Sequence, residues 1–246
     1  MGHDKLRKFA ENETFSCLIQ PSAQELLQDG YMNLRDHALK GRWNSEVFHN
    51  DAPITLELGC GKGEYTLDLA RRFPERNFIG VDIKGARLWR GARTATEEAL
   101  PNVAFLRTRI EFISAFFSPG EVSEIWLTFS DPQPNSENSR LSSPVFLERY
   151  RRFLAPGSLI HLKTDSLLLH RYTCDVCAAN GLEVLARTED LYSEERRYGP
   201  WLYEVQTFYE KMFLAQGMPI TYLYFRADHN GPFVHPETDV FRESRL

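Results

Sequence analysis

The stretch Leu56-Glu57-Leu58-Gly59-Cys60-Gly61-Lys62-Gly63 carries the most information about the fold of this chain. An apolar run leads directly into three glycines spaced two apart, and an amphipathic segment follows. This order predicts a strand, a tight turn and a helix, with glycines that permit positive φ and close approach of a ligand. The next strand candidate ends in Asp82. In an open α/β sheet this carboxylate and the glycine turn line one crevice, where an acid can accept hydrogen bonds from ribose hydroxyls.

Outward from this turn, short β-rich runs alternate with longer amphipathic runs. The strand candidates are 54–58, 77–82, 103–108, 125–129, 158–163, 183–188 and 220–225. The helix candidates are 63–73, 84–100, 110–117, 144–154, 165–180 and 204–215. This alternation predicts a Rossmann-like α/β fold, with a mostly parallel seven-stranded sheet and helices on both faces.

The region before Pro53 is polar and only weakly periodic. It predicts one helix within residues 22–40, with Ser22 as its N-cap. The sequence contains no internal repeat and no low-complexity linker. We therefore expect an N-terminal extension, residues 1–50, followed by one domain, residues 51–246.

Composition excludes several classes of protein. The 246 residues carry a net charge of −5, with 42% hydrophobic and 26% charged residues, as in ordinary globular proteins. This balance argues against polycationic binding of nucleic acid but allows a local basic face. No apolar run approaches the ~18 residues of a membrane span, and the charged N-terminus lacks the apolar core of a secretory signal. We expect a cytoplasmic protein with no membrane partner, and no spacing of residues typical of a metal site.

The glycine turn is compatible with two classes of cofactor. A dinucleotide site needs GxGxxG, whose third glycine falls one position after Gly63, so a nicotinamide-dependent oxidoreductase is disfavoured. A GxGxG turn preceded by an acidic residue in the strand, as here, instead resembles motif I of the class I methyltransferases that use S-adenosylmethionine. Glu57 is the discriminating residue, because a carboxylate in a buried strand is costly without partners.

A second motif follows the fourth strand candidate. There the sequence reads Ser130-Asp131-Pro132-Gln133-Pro134, which resembles the PDPWP signature of the bacterial tRNA (guanine-N7)-methyltransferase family. Three further stretches resemble family motifs in order and spacing, namely NFIGVD at 77–82, HLKTD at 161–165 and TFYE at 207–210. The resemblance covers most of the chain and implies the class I methyltransferase fold.

The resemblance also implies a reaction and a set of site residues. The methyl group of S-adenosylmethionine would pass to N7 of guanosine 46 in the tRNA variable loop, leaving S-adenosylhomocysteine. Asp131 is the implied catalytic residue and contacts both cofactor and target base. The other cofactor-binding candidates are Glu57, Gly59, Asp82 and Arg109. The candidates for binding the target nucleoside are Asn135, Asp165, Thr207 and Glu210.

The chemistry of guanine N7 can be read independently of the resemblance. N7 carries a lone pair in the neutral base, so attack on a sulfonium methyl needs positioning and no general base. The methylated purine is positively charged, and the Asp131 carboxylate could stabilise it. The competing interpretation makes Asp131 the start of an Asx turn. Thr207 and Glu210, three apart on one predicted helix face, could likewise be a cap and a structural hydrogen-bond partner.

The sequence departs from the family pattern in two places. Residues 135–140 replace a lysine- and arginine-rich run, with Asn135 in place of a substrate-contacting lysine. Fewer phosphate contacts predict weaker and less salt-dependent tRNA binding. Arg109 stands where class I enzymes usually place an acid or Asn near the adenine. It could stack on the ring or leave recognition to the backbone of Ile110.

Two alternatives to the family activity therefore remain open. One is a methyltransferase of the same fold with a changed RNA or small-molecule substrate, and the other is a non-catalytic RNA-binding protein. Basic charge is still present in Lys84, Arg87, Arg90 and Arg93, which are either a binding face or a solvated helix face. The sequence does not distinguish a monomer from a homodimer.

Overall fold

The computed structural model describes residues 3–28, 33–193 and 197–243. It contains a mostly parallel sheet of eight strands accompanied by helices. The predicted α/β fold is confirmed, and the sheet has one strand more than the seven predicted. The chain divides into two compact units, residues 1–122 and 123–246.

The first unit contains four parallel strands in the spatial order β1-β4-β3-β2. The strands are β1 (Leu18–Ile19), β2 (Ile54–Leu58), β3 (Asn77–Asp82) and β4 (Val103–Arg107). Its α-helices are α1 (His3–Asn12), α2 (Ala23–Leu26), α3 (Glu64–Arg72) and α4 (Gly85–Glu97). A π-helical turn spans Asn44–Phe48, and a 3₁₀ helix, Ile110–Ala115, takes the place of the α-helix predicted over 110–117. Every residue of β2 and β3 is buried, as expected for central parallel strands.

The N-terminal region differs most from its prediction. Among the described residues, the helix predicted over 22–40 is confined to α2, and residues 29–32 of that prediction lie outside the described part of the chain. Ser22 does cap α2 by accepting a hydrogen bond from the Glu25 amide at 3.3 Å. Leu27 leaves the helix with an extended backbone and forms an antiparallel bridge with Leu34, which ends the helix there. The strand that the sequence analysis missed, β1, has two residues, too few for an alternating pattern to be visible.

Residues of the predicted extension pack onto the rest of this unit. The Asn12 side-chain amide donates to the carbonyl oxygen of Gly85 at 3.0 Å, and the Trp89 indole donates to Glu11 at 2.7 Å. These bonds attach the end of α1 to α4. The boundary at residue 51 stays a prediction.

The second unit contains strands in the order β5-β6-β8-β7. These are β5 (Val122–Thr128), β6 (Leu154–Thr164), β7 (Val184–Thr188) and β8 (Thr221–Arg226), and β8 is antiparallel to both β6 and β7. Its helices are α5 (Pro144–Tyr150), α6 (Leu167–Ala179), α7 (Trp201–Glu204), α8 (Phe208–Ala215) and α9 (Val240–Glu243), with a 3₁₀ turn at Glu137–Ser139. No helix in the described part of the chain is long and apolar enough to cross a membrane.

Two predicted helices of this unit have different bounds in the structure. The helix predicted over 144–154 ends at Tyr150, and Leu154 already begins β6. The helix predicted over 204–215 is divided into α7 and α8. The division arises because Thr207 has an extended backbone and caps α8, its hydroxyl accepting from the Glu210 amide at 3.1 Å.

Candidate functional site

The glycine turn follows β2 and has the conformation that its sequence predicts. Gly59, Gly61 and Gly63 all have positive φ, at 81°, 60° and 73°. The Gly59 amide donates to the Val81 carbonyl at 2.8 Å, which ties the turn to the end of β3. A Cβ at Gly59 or Gly61 would meet no atom within 4 Å. The backbone of this turn is therefore open to a ligand.

The third glycine of the motif has a packing role. A Cβ at Gly63 would lie 2.4 Å from the Phe105 ring, and Cβ atoms at Gly80 and Gly91 would lie 2.8 and 2.6 Å from the same ring. Each distance is far shorter than a carbon–carbon contact. Gly63, Gly80 and Gly91 thus make room for one buried aromatic ring between the turn, β3 and α4.

Glu57 lies in β2 and its carboxylate is buried, with 4% of the residue exposed. It accepts hydrogen bonds from the Thr66 amide at 2.8 Å and from the Thr66 hydroxyl at 2.5 Å. Thr66 is in the first turn of α3, where amides have no partner within the helix. These bonds provide partners for a carboxylate in a buried strand, and no sequence motif marks Thr66 as the donor.

Asp82 ends β3 beside the glycine turn, as its position in the sequence predicts. One carboxylate oxygen accepts from the Gly61 amide at 3.0 Å and the other from the Lys84 amide at 2.7 Å. The carboxylate therefore connects the turn to the start of α4. Each oxygen retains acceptor capacity, so Asp82 can also accept hydrogen bonds from a ribose.

Arg109 follows β4 and precedes the 3₁₀ helix. Its guanidinium is partly exposed, lies 3.3 Å from the Glu111 carboxylate and 5.9 Å from the centre of the Phe112 ring. The amide of the preceding residue, Thr108, donates to the Asp82 carbonyl at 3.2 Å. The structure thus places Arg109 at the same end of the parallel strands as Asp82.

The second unit carries the other candidates, beginning with the loop after β5. Asp131 is exposed, and its Oδ1 accepts from the Gln133 amide at 3.0 Å, which is an Asx turn. Phe129 and Gln133 have φ of 49° and 47°, the left-handed region. Asn135 is exposed in the same loop. The turn interpretation of Asp131 is observed, and it leaves the carboxylate accessible for chemistry.

Asp165 follows β6 and is half-buried. Burial raises the pKa of its carboxyl above the ordinary value, and a backbone hydrogen bond opposes that rise. A polar group that is partly desolvated at the carboxyl end of a strand can bind a ligand there.

Thr207 and Glu210 are held in a buried network. Thr207 is the N-cap of α8, and Glu210, with no exposed surface, pairs with the Lys163 ammonium of β6 at 2.6 Å. The Tyr192 hydroxyl donates to the same Glu210 oxygen at 2.6 Å. Desolvation lowers the pKa of Lys163, and Glu210 opposes that shift.

The capping and structural hydrogen bonds proposed as alternatives for Thr207 and Glu210 are thus observed. Lys163 also donates to the Leu202 carbonyl at 2.7 Å. Neither Lys163 nor Tyr192 is marked by the sequence motifs as a partner of Glu210. Binding of the target nucleoside by Thr207 and Glu210 stays a prediction.

These features define a methyltransferase of the Rossmann-like class I fold. Two solved structures are similar to the chain. The 16S rRNA methyltransferase KamB has a TM-score of 0.57 and 15% identity, covering 74% of this chain and 90% of that one. An antibiotic-related methyltransferase has a TM-score of 0.58 and 15% identity, covering 83% and 100%. At such identities the similarity establishes the fold alone.

The chain belongs to the tRNA (guanine-N7)-methyltransferase family. The methyltransferase family model Methyltransf_4 matches residues 51–223. A tRNA (guanine-N(7)-)-methyltransferase of Christiangramia forsetii is 50% identical, with 91% of this chain and 97% of that protein covered. One from Bacteroides thetaiotaomicron is 46% identical, with 98% and 92% covered. The resemblance identified from the sequence motifs is confirmed.

Proposed function

We propose that this protein methylates N7 of guanosine 46 in the variable loop of tRNA, using S-adenosylmethionine and releasing S-adenosylhomocysteine. The proposal rests on one observation above all: a relative named tRNA (guanine-N(7)-)-methyltransferase is 50% identical to this chain over nearly the whole length of that relative. A tRNA substrate is in accord with the cytoplasmic location expected from the sequence.

The residues of the first unit fit the cofactor. Gly59 offers open backbone, and Glu57 fixes the first turn of α3. Asp82, which already accepts from the Gly61 amide, would accept hydrogen bonds from the ribose, and Glu57 would lie toward the methionine end. Arg109 would stack its planar guanidinium on the adenine. The bound cofactor supplies an electrophilic methyl group on its sulfonium.

The residues of the second unit act on the target. Asp131 stabilises the positive charge that the purine acquires, and no residue has to remove a proton from N7. Asn135 and Asp165 bind the nucleoside directly. Thr207 and Glu210 contribute to the same pocket, and the ion pair of Glu210 with Lys163 fixes β6, the strand that Asp165 follows.

Methylation of unmodified tRNA transcripts tests this function. Purified protein with methyl-labelled S-adenosylmethionine is expected to form N7-methylguanosine, detected by mass spectrometry of digested nucleosides. A matched transcript with adenosine in place of guanosine 46 is expected to take up no label. Equal labelling of both transcripts would show that guanosine 46 is not the nucleoside that is methylated. If calorimetry shows that the cofactor binds but no tRNA is methylated, the protein is better explained as a methyltransferase of the same fold with another substrate. The altered loop at 135–140 supports that alternative function.

The basic residues at the N-terminal end of α4, including Lys84 just before it, form part of the tRNA surface in this proposal. Lys84, Arg87 and Arg90 are exposed and three residues apart, so they are neighbours along the helix. None of the three has an acidic partner among the residues that the structure describes. Arg93, in contrast, is bound to Glu97 at 2.7 Å. The unpaired cations can contact phosphates without losing an existing ion pair.

Replacing Arg87 and Arg90 together by alanine is expected to weaken tRNA binding and to make it less salt-dependent. Each lost phosphate contact reduces the slope of log K against log salt by about 0.7–0.9. The measurement is a filter-binding or fluorescence titration at several salt concentrations. Arg93→Ala is the matched control on the same helix, and its slope should equal that of the wild type. An unchanged slope in the double variant would contradict a role for this face.

A further inference from the structure

Arg140 is the single basic residue of the segment 131–140 that follows β5, and it points inward. It has no exposed surface, so its guanidinium is not accessible to a phosphate of tRNA. Its two terminal nitrogens donate to the two carboxylate oxygens of Asp239 at 2.9 and 3.0 Å. The guanidinium also lies over the rings of Tyr172 and Phe241, 4.3 and 4.1 Å from their centres. Such a bidentate, ring-flanked arrangement fixes a guanidinium in one geometry.

The partner of Arg140 belongs to the C-terminal tail, defined here as residues 227–243. This tail lies beyond residue 223, where the match to the family model ends. It is attached to the helices of its unit, because the Phe233 amide donates to Glu148 at 2.7 Å and the Val234 amide donates to Asn180 at 2.8 Å. The tail is therefore a fixed support.

The segment 131–140 meets this tail at a second point. Glu137 lies 2.9 Å from the His235 imidazole. Arg140 in addition donates from Nε to the carbonyl oxygen of Gln133 at 3.4 Å. One guanidinium thus connects the tail to a residue two positions from Asp131. Fixing each residue of a flexible backbone costs conformational entropy, so a polar loop needs such contacts to keep one shape.

We propose that Arg140 and Asp239 form a clasp through which the C-terminal tail positions the loop carrying Asp131 and Asn135. Arg140 and Asp239 are positioning residues for methyl transfer, and the inference rests on the proposed function of that loop. The segment that is basic in the family pattern here uses its one cation to hold the loop, which leaves phosphate binding to other surfaces.

Hydrogen–deuterium exchange and steady-state kinetics of Asp239→Asn test the clasp. The variant keeps the shape of the side chain but loses the charge and one of the two acceptor bonds. We expect faster exchange in peptides covering 131–140, and kcat/KM for tRNA lower by about tenfold or more, since small misplacements of reacting groups are costly. KM for S-adenosylmethionine should change much less than kcat/KM for tRNA, because all of its candidate binding residues except Asp131 lie outside this segment.

The matched control is Asp228→Asn, which alters an exposed acid of the same tail that accepts from the Gly157 amide at 2.9 Å. It should change neither loop exchange nor kcat/KM. His235→Ala, at the accessible second contact, is the variant to use if Asp239→Asn does not fold, and it should raise exchange in 131–140 to a smaller degree. Unchanged loop exchange in these variants, or faster exchange with unchanged kcat/KM, would overturn the clasp. If the wild type methylates no tRNA, the proposed function fails, while the exchange measurement still decides whether the tail holds the loop.

Discussion

Replacing Asp131 by alanine is expected to lower kcat for N7 methylation by about 10²–10³-fold, the effect of removing one group that stabilises developing charge. Transfer of the methyl group leaves the purine cationic, and Asp131 supplies an exposed carboxylate in the loop after β5. Because N7 attacks with its own lone pair, the loss should be similar across the neutral pH range. Single-turnover methylation of a tRNA transcript measures the chemical step directly.

Asp131→Asn is the control that separates charge from turn geometry. The Asp131 side chain accepts from the Gln133 amide at 3.0 Å, and asparagine can make the same Asx turn. The asparagine variant is therefore expected to keep the loop shape and still lose nearly as much activity as alanine. If asparagine retained wild-type kcat while alanine did not, Asp131 would serve the turn and the catalytic assignment would be wrong.

The parts of the molecule that the sequence predicted correctly are local. The glycine turn joins consecutive residues, and the position of Asp82 beside it follows from the parallel order of β2 and β3. Periodicity likewise located every strand of the described residues except the two-residue β1, and most of their helices. Where a short-range event interrupts a pattern, the prediction was wrong: the Thr207 cap divides one predicted helix, and the bridge between Leu27 and Leu34 ends another.

The partners of the site residues could not be predicted, because they come from distant parts of the chain. Glu57 was recognised as a carboxylate that needs partners, yet nothing in the sequence identifies Thr66 as the donor. No sequence motif assigns a role to Arg140, although the structure buries its guanidinium against Asp239. Pairings of this kind depend on packing, which a pattern of residue types does not encode.

The second large effect is expected at the ion pair between Lys163 and Glu210, neither of which has exposed surface. Lys163→Met should lower the free energy of unfolding by about 3–5 kcal/mol, because it leaves a buried carboxylate without its cation. Urea denaturation followed by circular dichroism measures this quantity.

The exposed pair of Arg226 and Glu183, 2.9 Å apart in the same unit, is the matched control. Arg226→Ala should cost at most about 1 kcal/mol. If Lys163→Met lowers the free energy of unfolding by no more than Arg226→Ala does, the buried pair adds no more stability than an exposed one.

The double variant Lys163→Met with Glu210→Leu then separates stability from function. Replacing both partners of a buried ion pair with apolar residues of similar size often restores stability, so most of the lost free energy should return. Because Glu210 contributes to the nucleoside pocket in the proposed function, we expect this stable double variant to keep a kcat/KM for tRNA at least about tenfold below that of the wild type. Near wild-type methylation by a stable double variant would instead assign Glu210 to the scaffold alone. Because stability and activity are read from one protein, an inactive variant cannot be mistaken for an unfolded one.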